Sequence, residues 1–141
     1  MKSMAPAVLA VAAIAGALWT ANAWPRINEV ESGRTPEYPD LKPHDYGASP
    51  EEVAKAAKSL LNRRPHWLFV GEGNGPMGAE LQAVHESPLL RLKDDVTIKM
   101  RREKGRTVVS ARSKSRLGPW DFGQNARNVR ELLDALDHEV F

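Results

Sequence analysis

Residues 94–126 read DDVTIKMRREKGRTVVSARSKSRLGPWDFGQNA, and the alternation inside this stretch decides the fold. Glu103-Lys104-Gly105-Arg106 reads as a hairpin closed by a two-residue Lys-Gly turn, because glycine accepts the left-handed backbone that such turns need. A two-residue loop fixes the pairing so that partner numbers sum to 209. Met100 then faces Val109, Ile98 faces Ala111 and Val96 faces Ser113, an apolar face that turns polar at its far end. The other face pairs Arg101 with Val108, Lys99 with Ser110, Thr97 with Arg112 and Asp95 with Lys114. One register satisfies the period of two on both strands, which is the consistency expected of a real hairpin.

Downstream, Gly118-Pro119 makes a turn and Asp121 reads as the N-cap of a last helix. Phe122, Ala126, Val129, Leu132, Leu133, Leu136 and Val140 recur at intervals of three and four, one amphipathic stripe. Upstream, Ser49-Pro50-Glu51-Glu52 carries a capping box with proline at the first helical position. Val53, Ala56, Ala57, Leu60 and Leu61 share one face of that helix, which Asn62-Arg63-Arg64-Pro65 ends. Between the helix and the hairpin, Trp67–Val70 reads as a strand buried on both sides, Gly71–Gly78 as a loop and Glu80–Glu86 as another strand. Helix, four strands, helix predicts an α+β fold: a four-stranded antiparallel sheet with a helix before and a helix after it, both packed on one face.

The chain divides into three stretches. Residues 1–24 read as a signal peptide or membrane anchor, 25–48 as a proline-rich extended lead-in, and 49–141 as a single α+β domain. Ala5–Trp24 runs without a charge behind Lys2. Its length suits a bilayer span with Trp19 and Trp24 as interfacial anchors, while Ala21-Asn22-Ala23 suits signal peptidase. A buried core helix is the third reading, and it lacks a partner surface for a helix apolar all round. Lys2 before the span favours the bulk of the chain outside the cytoplasmic membrane, or periplasmic if cleaved after Ala23. The lead-in has prolines at 25, 36, 39 and 43, which oppose helices and interior strands. Tyr38, Leu41 and Tyr46 give it side chains to bury along the domain.

The residues Lys93-Asp94-Asp95-Val96, then Arg112-Ser113-x-Ser115-Arg116-x-Gly118, then Asp121-x-Gly123-x-Asn125-Ala126-Arg127 carry a family resemblance. With them the chain resembles the bacterial and plastid proteins grouped as domain of unknown function family 1499. The upstream TPEYPDLKPHDYGASPEEV is similar to the lead-in of longer members, so the resemblance covers roughly residues 25–138. The chain departs from the pattern at Pro119-Trp120, where the family usually has small or polar residues, and it lacks the Asn-Cys pair of some short members. The resemblance implies an envelope location and no established reaction, cofactor or partner.

With 141 residues, a net charge of +2 and no cysteine, the chain is one small domain without thiol chemistry or a nucleic-acid charge signature. Parity puts Asp94, Ser113 and Ser115 on the core side of the hairpin, beneath the start of the last helix. Asp95, Arg112, Lys114 and Arg116 lie on the other side. Asp94, Asp95, Ser113, Ser115, Asp121 and Asn125 are expected to form a structural polar network that serves the open N–H groups of the helix start. Arg112, Lys114 and Arg116 are the candidate ligand-binding residues, set in a basic ribbon with Lys99, Arg101, Arg102, Lys104 and Arg106. A solvated strand face is the plain alternative for that ribbon.

No catalytic residue, metal site or cofactor is assigned. Asp94 and Asp95 are neighbours on a strand and point to opposite faces. His66 and His85 lack ligand spacing, neither serine has a sequence-local base, and Gly71-x-Gly73-x-Gly75 is not followed by a helix. The reading is a membrane-tethered or exported envelope domain that binds without catalysis. Its partner would be an envelope protein or an anionic lipid or glycan on the open sheet face. Nucleic acid is disfavoured, because aromatics are not interleaved with the charges. The alternative is a hydrolase-like enzyme working at the polar end around Asp94, Ser113, Ser115 and Asp121.

Overall fold

The computed structural model describes residues 8, 10–15, 23–76 and 78–140. Residues 8 and 10–15 are helical, and from Glu29 onward six strands and two helices follow in the order β1 (Glu29–Glu31), β2 (His44–Tyr46), α1 (Pro50–Arg63), β3 (Trp67–Gly75), β4 (Gly78–Glu86), β5 (Lys93–Glu103), β6 (Arg106–Ser115) and α2 (Gln124–Glu139). All six strands form one antiparallel sheet ordered β1-β6-β5-β4-β3, with β2 also on β6.

The β5–β6 register runs from Asp94 opposite Ser115 to Glu103 opposite Arg106, the pairing that the Lys-Gly turn requires. Lys104 and Gly105 both take positive φ, at 52° and 77°, the backbone of a turn whose twist matches the strands. Val96, Ile98, Met100, Val109 and Ala111 are buried on one face, joined by Leu81 and Ala83 of β4. Both helices cover that face. α1 contributes Val53, Ala54, Ala57, Leu60 and Leu61, and α2 contributes Ala126, Val129, Leu132, Leu133 and Leu136. Ser49 caps α1 reciprocally: its Oγ accepts from Glu52 N and its own N–H donates to the Glu52 carboxylate, both at 3.2 Å.

The sheet has six strands where four are expected. The extra two come from the lead-in, whose proline-free stretches 26–35 and 44–49 each leave room for a three-residue strand. Glu29–Glu31 pairs with Arg112–Lys114, and His44–Tyr46 with Thr107–Val109, so both lie along the outer edge of β6. Ser32 bridges them: its N–H donates to Ala111 O at 2.9 Å and its Oγ accepts from Ala111 N at 3.0 Å. Backbone groups of β6 that water would otherwise hold are thereby satisfied within the chain. Val30, Leu41 and Tyr46 carry the lead-in into the core.

Three further expectations change. β3 is not buried on both sides: Leu68 and Val70 point to the uncovered face and are mostly exposed. Gly71–Gly75 belongs to the strand, not to a loop, because β4 supplies a full ladder of partners and tertiary pairing overrides glycine's preference. The β3–β4 register shifts between Phe69 and Gly71, a bulge that leaves Val70 unmatched. The third change is at α2, whose N-cap is Gly123 and not Asp121. Phe122 and Gly123 both have positive φ, 53° and 79°, so the chain makes a tight reversal before the helix begins. Phe122 consequently leaves the apolar stripe and is 45% exposed.

Most of the expected anchor or signal segment lies outside the described residues. Among the described residues no helix is long and apolar enough to cross a membrane.

Candidate functional site

Where the hairpin's apolar face turns polar, β5 and β6 run under the first turn of α2. Asp94 is 3% exposed, and Ser113, Asn125 and Asn128 are fully buried. Polar groups so placed must be paired, and two asparagine amides do most of it. Asn125 Nδ2 donates to Ser115 Oγ at 2.9 Å and to Asn28 O at 2.8 Å, while its Oδ1 accepts from Ser113 Oγ at 2.6 Å. Asn128 Nδ2 donates to Asp94 Oδ2 at 2.8 Å and to Ser113 Oγ at 3.1 Å, and its Oδ1 accepts from Gln124 Nε2 at 2.8 Å. Both N–H groups of each amide are used, each amide oxygen accepts one bond, and the Ser113 hydroxyl donates to Asn125 while accepting from Asn128. His85, opposite Asp94 on β4, is also buried, with Nδ1 3.8 Å from the Asp94 carboxylate and its ring edge-on to Trp67.

Asp121 does cap α2, from two residues before its N-cap. Its Oδ1 accepts from Gly123 N at 2.9 Å and its Oδ2 from Asn125 N at 3.0 Å. The lead-in is stitched to the same loop. Asp121 N donates to Ile27 O, Ser115 N to Asn28 O, and Asn28 Nδ2 to Gly118 O. Gly123 is required here, because a Cβ would lie 2.6 Å from the Trp24 ring.

Asp94, Ser113, Ser115, Asp121 and Asn125 therefore meet in one place, whereas Asp95 lies across the sheet. Asn128 and His85 belong to the same cluster and were missed. Asn128 stands three positions after Asn125 on an otherwise apolar stripe, and that interruption is the signal the sequence offers for it.

Above this network the β4–β5 and β6–α2 loops enclose a cavity of about 400 Å³. Its lining joins apolar side chains (Leu89, Leu90, Leu92, Leu117, Trp120 and Phe122) to polar ones (Asp94, Ser115, Asp121 and Gln124), with Lys93 and Arg127 among them. Trp120 stacks on Phe122 at 4.4 Å and lies under the Arg26 guanidinium.

The basic ribbon on the uncovered face is mostly matched by carboxylates. Arg112 pairs with Glu29, and Arg116 forks onto Asp95 with bonds of 2.9–3.1 Å. Lys99 pairs with Glu31, Arg106 with Asp45 and Arg101 with Glu103. The Arg112 hydrogen bond holds the Glu29 carboxyl below its usual range, and the Arg116–Asp95 bond raises the Arg116 guanidinium further above its own. Lys114 is exposed. An anion approaching this face competes with carboxylates already in place.

One group of metal-ligating types occurs among the described residues: His44, Asp134 and Asp137, with candidate atoms within 4.8 Å of one another. Hydrogen bonds account for the closeness of two of them, since Asp137 Oδ1 contacts His44 Nδ1 at 2.8 Å and accepts from Tyr46 Oη at 2.6 Å.

The molecule is thus a small α+β domain whose antiparallel sheet ends in a buried amide, hydroxyl and carboxylate network beneath an apolar-walled cavity. The chain belongs to the family described as protein of unknown function (DUF1499), whose model matches residues 20–136. No curated protein and no solved structure matches it.

Proposed function

We propose that this chain is an exported or membrane-tethered envelope domain that binds a ligand without transforming it, and that the ligand occupies the cavity at the polar end. The observation that carries the reading is a cavity lining that joins apolar side chains to hydrogen-bonding ones, which suits a molecule with an apolar chain and a polar terminus. The uncovered sheet face is the poorer candidate for an anion, because Arg112 and Arg116 are already paired. Ser113 is a poor nucleophile, since it is fully buried and its hydroxyl is committed to two asparagines.

Native mass spectrometry of the full chain purified from membranes tests the proposal. A stoichiometric amphiphile should accompany the chain and be lost in Leu92→Trp, whose larger ring fills the wall. No adduct, or one equally retained by Leu92→Trp, would count against it. The hydrolase-like reading keeps one supporting observation: the half-buried Ser115 and the Asp94 carboxylate line the same concavity. It requires cleaved ligand in the adduct, with intact ligand accumulating in Asp94→Asn.

A further inference from the structure

We propose that the leucine-bearing rim of this cavity is a membrane-docking surface, occupied by the interfacial layer of a lipid bilayer. The inference rests on the membrane-tethered form of the address proposed above and not on the cavity holding a ligand.

Leu89 is 90% exposed, Leu90 71% and Leu117 74%, on two loops at the same end of the sheet. Their exposure is built in. In the β4–β5 loop Ser87 N donates to Leu92 O, Leu92 N to Ser87 Oγ, and Arg91 N to Ser87 O. Arg91 takes a positive φ of 54° to complete the turn. Backbone and hydroxyl groups of the loop hold its shape while Leu89 and Leu90 stay mostly exposed at the cavity rim. An apolar surface of this kind marks a contact site.

The occupant follows from what adjoins the rim. The uncharged sequence from Ala5 ends at Trp24, and the Trp24 ring lies against Gly123, next to Phe122 and the cavity edge. The Arg127 guanidinium sits 5.8 Å from that ring, and Arg26 sits 4.9 Å from Trp120. Tryptophan beside arginine is the pairing found at the boundary between hydrocarbon and headgroups. Trp24, the last residue of that stretch, already touches the loop that bears Leu117 and Phe122, so a bilayer at Trp24 lies close to the rim. Lys93 and Arg127 border the leucines and complement anionic headgroups.

The chain contains no cysteine, so one introduced cysteine gives one labelling site. The full chain in phosphatidylethanolamine–phosphatidylglycerol vesicles would carry a nitrobenzoxadiazole label at Leu89→Cys or Leu117→Cys, with Lys104→Cys at the opposite end of the sheet as control. Labels at 89 and 117 should emit at shorter wavelength and be quenched by doxyl lipids, and the label at 104 should report water. A water-like emission at 89 and 117 would overturn the proposal. So would a shifted emission that doxyl lipids leave unquenched, because a second copy or another protein would then cover the rim. Leu89→Asp/Leu90→Asp should return the label at 117 to water with the melting temperature unchanged, and retained quenching would count against the rim. The co-purified amphiphile is read separately, so an empty cavity and an undocked rim are distinguishable results.

Discussion

Replacing Asn128 by leucine would preserve the bulk of the α2 face while removing both donors that hold Asp94 and Ser113. The Asp94 carboxylate would stay buried without its amide partner. Leaving buried acceptors without their hydrogen-bond donor costs about 1–3 kcal/mol each, so Asn128→Leu should lower the melting temperature by several degrees. An unchanged melting temperature would show that the network contributes nothing to stability. Asp121 allows a finer test, because its two oxygens serve two different backbone N–H groups. Asp121→Ala should cost about 1–2 kcal/mol, within the usual range for a lost cap. Asp121→Asn, with one oxygen remaining, should recover about half of that in denaturant titrations.

Among the elements, the hairpin makes the sharpest demand. Ile98 is fully buried and its neighbour Thr97 is on the uncovered face, bonded to Gln82 at 2.9 Å. Ile98→Asp should therefore lose about 3 kcal/mol or more, while Thr97→Asp should melt close to the parent. Equal melting would mean the register is off by one residue. This part was legible because two strands and a turn imposed the same period. α1 was legible from its capping box. β1 and β2 were not, since strands of three residues carry no period and their partners lie 61–85 positions away. Asn128 escaped because a periodicity argument discards the polar residue on an apolar stripe, which here is a hub of the buried network.

The lead-in strands also have a pH signature. Glu29 is held low by the hydrogen bond from Arg112. Burial works to raise Asp137, but the bonds from Tyr46 and His44 outweigh it and leave the carboxyl below its usual range. A carboxyl depressed in the folded state adds stability above its unfolded value and loses it as pH falls through the folded one. Acidification below about pH 4 should thus loosen β1 and β2 first. Hydrogen exchange, corrected for intrinsic rates, should rise at residues 29–31 and 44–46 before it rises in β5 and β6.

For the whole molecule, the proposed address and the fold make a joint demand. A reporter fused after Phe141 should be active outside the cytoplasmic membrane and silent within, because Lys2 precedes the apolar stretch. Activity confined to the cytoplasm would remove both the address and the docking surface that depends on it. N-terminal sequencing of the membrane-extracted protein distinguishes a retained segment from cleavage after Ala23.

The two margins of the sheet are finished differently. β6 is closed by the chain's own lead-in, while β3 is the terminal strand on the other side, with Leu68 and Val70 exposed on its uncovered face. A long, flat strand in that position would template pairing with a second molecule and, at high concentration, aggregation. The bulge at Val70 and the glycines at 71, 73 and 75 interrupt the flatness and weaken the propensity such pairing needs. In colloidal terms they act as gatekeepers. Filling Gly71 and Gly73, where an added Cβ meets nothing within 4 Å, with β-branched residues would strengthen the strand and favour edge-to-edge self-association.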